Sequence, residues 1–547
     1  GSEMCIRDSC QPRPLTDSPR QTLFFWRILA LRLAARLPFL GAGQGNNPHA
    51  EESARVGRRG PGAINGPACA AHRGLAVLLT AAVLWPPATP AHAADDPPPD
   101  PPHWSDSLKN IPAGPIRLDI GGSLRYRFER QDDFNIQRYA DDRDGFSSDG
   151  FLLQRARLDF TLRWGQDAQT YLEIQDAMAY DSDFGRGDFD WRLHSCPYWN
   201  QLDLRQAYLE WRRIGGTPFG VKAGRQAISY ADFRIWGPGE WGNVGRYTWD
   251  AVKIIADTDW AEIDAILGHR VRYHPTHFDE SNRRLAAYGL YGRIKRLPLR
   301  VDPFWLWKKT RPDLMLNAAG DRLELDTHTV GLHVDGRFGD AREWDYGGTL
   351  AHTQGDRSVL RAASAGGRTT WTEIDQDVAA WGGHARLGRT FAHPWKPRVG
   401  LEYSYGSGGI NDPGDQYETF DGAFGGIDTT KYGWMNFFSW MNLQDYQITL
   451  SAKPLSRTQV ALEYHFFFLA ESRDAWYWSG GRGARRDPTG QSGSSVGQEL
   501  NLVLTYDLSQ RTKLMIGYAH FFPGRFLKST GDSPDADWLF AQIQYSF

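Results

Sequence analysis

Cysteine is nearly missing from this chain. Among 547 residues only Cys5, Cys10, Cys69 and Cys196 occur, with no CxxC pair and no metal-ligand spacing. Neither a zinc site nor thiol redox chemistry is suggested, and we expect no cofactor and no metal. Long apolar runs are lacking too. The clearest apolar stretch, Leu75 to Trp85, has about 11 residues, too few to cross ~30 Å of hydrocarbon as a helix. An excess of charge of one sign is the third absence. With 62 basic against 65 acidic residues the formal net charge is −3, which leaves no electrostatic footprint for nucleic acid.

What is present is aromatic and glycine-rich. Aromatics make up 13% of the chain, with 22 Trp and 22 Tyr, and there are 58 Gly. Mean hydropathy is nonetheless negative. That combination suits a transmembrane β-barrel, in which only every second residue of a strand faces lipid.

The front of the chain reads separately. Residues 1–70 are rich in Arg, Pro and Gly without helix or strand period, and we read them as an upstream, artefactual or disordered segment outside the fold. Residues 71–93 have the form of a secretory signal peptide. Arg73 supplies the positive end, Leu75–Trp85 the apolar stretch and Ala91-His92-Ala93 the small-x-small cleavage site. Cleavage there leaves 52 basic and 60 acidic residues, a mature chain near −8. Residues 94–115 carry the run Asp95-Asp-Pro-Pro-Pro-Asp-Pro-Pro102, expected to be a stiff periplasmic leader and not a strand.

From residue 116 to 547 the chain breaks into about 18 segments with period-2 alternation. In Phe151–Trp164, Leu152, Ala156, Leu158, Phe160, Leu162 and Trp164 share one face, while Leu153, Arg155, Arg157, Asp159, Thr161 and Arg163 share the other. Val399, Leu401, Tyr403 and Tyr405 alternate likewise, as do Val460, Leu462, Tyr464, Phe466 and Phe468. Other strands are placed near 116–130, 168–178, 201–212, 217–226, 249–257, 260–270, 282–295, 299–308, 324–338, 341–353, 372–389, 444–454, 497–508, 511–522 and 536–547. Short links such as 165–167, 214–216, 296–298, 339–340 and 509–510 alternate with long ones near 131–150, 179–200, 227–248, 309–323, 354–371, 407–443 and 471–495. Short periplasmic turns alternating with long extracellular loops belong to outer-membrane barrels, and an even strand count puts both ends on the periplasmic side. The fold class is therefore all-β, an antiparallel transmembrane barrel of about 18 strands in a Gram-negative outer membrane.

The last strand closes such a barrel. Leu539, Ala541, Ile543, Tyr545 and Phe547 alternate with Phe540, Gln542, Gln544 and Ser546, ending on an aromatic residue. It resembles the terminal signature that outer-membrane proteins present to the barrel-assembly machinery. That machinery and the outer-membrane lipid are the expected partners.

Strand phase assigns the face opposite the apolar one to the lumen. Arg155, Arg157 and Arg163 point in from one strand, Arg300, Asp302 and Lys308 from another, and Arg386 beside His384 from a third. Glu262, Asp264, Glu402 and Glu463 also point in. An arginine facing lipid at mid-depth costs about 2–4 kcal/mol, which forces most of these inward. They admit two readings: charges that pair and brace a wide barrel, or an arginine-lined constriction that selects anionic solute. Along 201–212 the apolar face switches from Leu202 and Leu204 to Ala207, Leu209 and Trp211, as a β-bulge would cause, so the side of Arg205 is left open.

The middle of the chain carries a distinctive constellation. Gly224-Arg225-Gln226 ends one strand, Tyr230-Ala-Asp-Phe-Arg234-Ile-Trp-Gly-Pro-Gly-Glu240-Trp241-Gly-Asn243-Val-Gly-Arg246 fills the following loop, and Trp249-Asp250-Ala-Val-Lys253 opens the next strand. With Gln154-Arg-Ala-Arg157 and Asp203-Leu-Arg-Gln-Ala-Tyr208, this resembles the alginate export porin family over about residues 116–547. The resemblance implies an electropositive constriction that passes polyanionic alginate outward. It also implies that Arg225, Arg234 and Arg246 guide carboxylates while Asp250 holds those arginines in place, with Lys253 beside them on the solute path. Glycine and tryptophan in loop 227–248 fit a loop folded into the pore mouth; a rigid exposed surface loop is the alternative. The expected function is a channel for an anionic polysaccharide or smaller anion, and not an enzyme. The alternatives are uptake of small sugars or organic anions, a barrel enzyme using a pair such as His194-Ser195, and a purely structural or adhesive barrel.

Overall fold

The computed structural model describes residues 102–547, apart from 136–137, 141–147, 184–196, 246, 312–314, 317–321, 366–367, 411–415 and 426–429. The expectations for residues 1–70 and 71–93, the four cysteines and His194-Ser195 lie outside the described residues.

Alternation produces strands wherever it occurs. The first six are β1 Ile116–Asp132, β2 Asp149–Trp164, β3 Ala168–Tyr180, β4 Asn200–Trp211, β5 Phe219–Ala227 and β6 Thr248–Asp257. Next come β7 Ala261–Arg272, β8 Glu280–Ile294, β9 Arg300–Thr310, β10 Arg322–Phe338, β11 Trp344–Ala365 and β12 Arg368–Thr390. The last six are β13 Arg398–Gly406, β14 Leu443–Leu455, β15 Thr458–Phe468, β16 Ser495–Asp507, β17 Thr512–Pro523 and β18 Ala536–Ser546. Each pairs antiparallel with its neighbours in sequence, and β18 returns to β1 from Ser123↔Ser546 to Asp132↔Asp537. Phe547 extends this seam by exchanging two backbone hydrogen bonds with Gly122, at 3.0 and 3.2 Å. The result is a closed barrel of 18 strands without a free edge along the seam.

Two expectations need correction. A loop is expected at 354–371, but β11 continues to Ala365 and β12 begins at Arg368, with unbroken register from Trp344↔Arg389 to Ala365↔Arg368. The sequence there is small and polar, so hydrophobic alternation fades although backbone pairing goes on. The leader was expected to hold no strand. Ile111–Ala113 nevertheless pairs with Ile116–Leu118 at the barrel's entry, behind a short 3₁₀ turn at Trp104–Leu108.

The outer face is apolar, as the alternation requires. Leu158, Ile254, Leu267, Leu290, Leu350, Leu401, Leu450 and Ile516 are all exposed. Trp164, Trp211, Phe338, Phe391 and Trp395 border this band at the short-turn end, where amphipathic rings belong. The inward face of the same strands is buried by polar side chains and by loops that fold back inside.

The bulge inferred on β4 is present. Glu173 pairs with Gln206 and Ile174 with Leu204, which leaves Arg205 as the extra residue. Arg205 thereby turns inward, and its side chain is only 2% exposed.

Leu350 sits six residues into β11, roughly 15 Å along the tilted wall from its short-turn end. Leu350→Arg on this apolar face is expected to cost about 2–4 kcal/mol of folding stability. Urea titration in lipid vesicles measures it; a cost near zero would mean that this face does not meet lipid.

Candidate solute pathway in the barrel lumen

The described residues of the loop between β5 and β6, 228–245 and 247, lie inside the barrel. Ile235, Trp236, Asn243 and Val244 are all buried, and Trp236 is fully so. The inward-folded reading of this loop therefore holds over the exposed one. Its placement comes from backbone groups that need donors. Arg125 donates to the Gly242 carbonyl at 3.0 Å, Arg127 to Trp241 O at 2.8 Å, and Arg155 to Glu240 O and Gly242 O at 3.2 and 3.3 Å. Asn243 donates from one amide to three wall or loop carbonyls, those of Gln154, Met178 and Tyr198, at 2.9 to 3.1 Å. Trp241 lies under the Arg127 guanidinium at 4.3 Å.

At the centre of this clamp is the Glu240 carboxylate. Arg157 donates to it at 2.9 Å, Arg205 forms a second ion pair with it, and Arg155 lies at 3.7 Å. Although its side chain is partly exposed, desolvation within the lumen would raise its pKa, yet Arg205, then Arg157 and Arg155, hold the carboxyl down at about 2. Glu173 on β3 braces the arginines from behind, at 2.8 Å from Arg205 and 3.8 Å from Arg157.

Farther along the same loop, Arg234 is buried against Ser404 and forms ion pairs with Glu402 on β13 and with Asp232. Its guanidinium also faces the rings of Tyr432 and Trp440, at 5.2 and 5.9 Å. Burial would raise the Asp232 pKa, but the Arg234 charge and the His384 ring keep it well below the usual carboxylate range. Lys431 is pushed down by burial and by Arg234.

The described residues of a second inward loop, 407–410, 416–425 and 430–442, fill the neighbouring sector with aromatic side chains. Phe420, Phe437, Phe438 and Trp440 are buried together with Trp236, Phe467, Trp476 and Phe540. Asp474 staples this loop to the one after β15, accepting from Thr419 Oγ1 at 2.6 Å and from the Gly409 amide at 3.2 Å.

The sequence-derived residues separate into three groups. Arg155, Arg157, Lys253, Arg300 and Arg386 lie on inward faces, and Arg234 lies on the inward loop. Lys253 pairs with Asp264 at 2.8 Å, and Arg300 with Asp302 at 2.6 Å and Asp335 at 3.8 Å. Arg386 stands exposed on β12, opposite Glu402 in register. Arg225 and Asp250 depart from expectation. They pair with each other, Arg225 Nε to Asp250 Oδ1 at 2.8 Å, but by register they share a face with Val252 and Ile254, away from the lumen. Arg225 also donates to the carbonyls of Leu204 and Asp279, so it staples the wall near its long-loop end and does not line a path. Arg246 lies outside the described residues.

Arg125, Arg127 and Glu129 were missed. They alternate with Leu124, Tyr126 and Phe128 along β1, and the phase rule applied to Arg155 identifies them equally. Glu240 was read only as part of a motif. Nothing local distinguishes it from a surface acid, because its partners come from β2 and β4.

With this geometry in place, comparison with known proteins bears on the chain as a whole. The alginate export family profile matches residues 116–539. The chain belongs to the alginate export family. Members of this family are outer-membrane porins, and the present chain is such a barrel, spanning the outer membrane many times. Similar solved structures include OccK11 (OpdR) of Pseudomonas aeruginosa, with 12% identity and a TM-score of 0.45 over 79% of this chain and 96% of that one. OpdK of the same organism, solved with vanillate, has 9% identity and a TM-score of 0.46 over 78% and 98%. A BenF-like porin from Pseudomonas fluorescens Pf-5 has 11% identity and a TM-score of 0.47 over 79% and 99%. No curated protein matches the chain.

Two outcomes follow from the clamp. Because the Glu240 pKa is depressed, its ionic hold on the loop is complete above the unfolded value near 4.5 and fades as pH falls toward about 2. Single-channel conductance is expected to rise across that interval, and Glu240→Gln should show the raised conductance already at pH 7. Separately, a Cβ at Gly382 would collide with the Phe420 ring. Gly382→Ala is expected to displace loop 407–442, which intrinsic tryptophan fluorescence and conductance together detect.

Proposed function

We propose that this porin passes an anionic solute, foremost an alginate-like polysaccharide or oligosaccharide, along its inward arginines. The observation that carries the reading is the Glu240 carboxylate gathering Arg155, Arg157 and Arg205. A uronate carboxylate has the same charge and the same planar pair of acceptor oxygens, so it can take the place of Glu240 at these guanidinium groups. Nearer the short-turn end, Arg163 with Asp119, Arg300 with Asp302 and Asp335, and Arg398 with Asp345 form further pairs. Arg163 with Asp119 and Arg398 with Asp345 are partly exposed pairs, weak enough in water to exchange partners with a moving chain, whereas Asp302 is buried. Binding that is favourable yet easily surrendered from site to site is what conduction requires. In this reading the protein performs no catalysis, and its last strand, ending at Phe547, is also what the barrel-assembly machinery grips.

A second reading, uptake of small sugars or organic anions, is favoured by the extent to which two inward loops fill the described lumen.

Planar-bilayer recordings separate the two. The proposal expects chloride preference over potassium, reduced several-fold by Arg155→Ala combined with Arg157→Ala, and block by oligouronates but not by neutral maltooligosaccharides. Cation preference, or equal block by neutral sugars, would reject it.

A further inference from the structure

Deep in the wall, β10, β11 and β12 bring together a polar group that the anion path does not use. His333 of β10 and His384 of β12 are each almost fully buried, and Asp232 reaches them from the inward loop. One donor atom from each of the three lies within 4.8 Å of the others. Asp232 Oδ2 is 3.1 Å from His384 Nε2. The Thr349 hydroxyl of β11 sits between the rings, 2.8 Å from His333 Nδ1 and 3.1 Å from His384 Nε2.

The far side of each ring carries the second half of the argument. His333 Nε2 faces Asp335 Oδ1 at 3.2 Å. His384 Nδ1 is buried without a hydrogen-bond partner and points toward Glu402 Oε1 at 3.8 Å. Two imidazoles that aim one nitrogen at a common point, and the other at a carboxylate, have the arrangement by which carboxylates orient and polarise metal-ligating histidines.

We infer that Asp232, His333 and His384 form a binding site for a divalent transition ion of the zinc class. Two neutral imidazoles and one carboxylate suit such an ion better than magnesium or calcium, which take oxygen ligands. Thr349 or a water completes the fourth position. The site accommodates the charge: Arg234 lies 3.3 Å from Asp232 but retains Glu402 when Asp232 turns to the ion, and Lys431 and Arg386 are its other cationic neighbours. Because Asp232 belongs to loop 228–247 and both histidines belong to the wall, a bound ion cross-links the loop to the barrel.

The test uses the full barrel refolded in detergent, tag-free and stripped with chelator, then titrated with zinc chloride against a chromophoric competitor. One equivalent is expected to bind at micromolar concentration or tighter. His384→Ala and His333→Gln are each expected to weaken it at least 30-fold while the heat-modifiable mobility of the folded barrel on gels is retained. X-ray absorption on the loaded protein should show two imidazoles and oxygen ligands near 2.0 Å. Absence of a stoichiometric site, or one equally tight in the His333→Gln, His384→Ala double variant, overturns the inference.

Discussion

The pairing of β1 with β18 is the constraint on which everything else rests. A sheet in hydrocarbon cannot leave a row of amides and carbonyls unpaired, since no water is there to take them. Ten residue pairs from Ser123 to Asp132 close that row, and Phe547 adds one more link beyond it. Once the sheet is closed, inside and outside are defined for every residue, and strand phase becomes a statement about solvent. Leu350 and Ile254 meet lipid because the ring exists; Arg155 and His384 are enclosed for the same reason.

Enclosure then creates a second problem. A lumen rimmed by arginines must give them partners or water, and a loop folded inward must give its own carbonyls donors. The two needs are met together. Arg125, Arg127 and Arg155 serve backbone oxygens of 240–242, while Arg157 and Arg205 serve the Glu240 side chain. The bracing of charge and the proposed recognition of anions would thus fall on one set of residues, so the two readings of the arginines, as struts or as a solute path, are not exclusive.

The strands were legible because lipid on one side and enclosure on the other impose a strict period of two. The alternation failed where that contrast ends. The upper parts of β11 and β12 are rich in small and polar residues and look like loop, though their backbones pair as far as Ala365↔Arg368. The Arg205 bulge was readable as a phase slip, since a single extra residue is enough to move Leu204 and Leu209 onto one face. For Arg225 and Asp250 motif and phase disagree, and phase prevails: Val252 and Ile254 put Asp250 on the outer side. The packing of 407–442 was not legible. Phe420 and Phe437 are buried against residues distant in sequence, with no local period to announce it. The histidine cluster escaped for the same reason, being assembled from three strands and a loop and marked by no cysteine spacing.

Glu240 is fixed to the wall at both ends of its loop, and this bears on what can displace it. A tethered carboxylate competes at an effective concentration on the order of millimolar, set by the reach of its connections. On the proposed reading, a free monovalent anion would have to match that concentration before it won the guanidinium groups. A polymer with a carboxylate on every residue presents a fresh competitor each time one lets go, and so meets the tether on equal terms when scarce. Discrimination would then be made by valence, with chain length as the quantity the lumen counts.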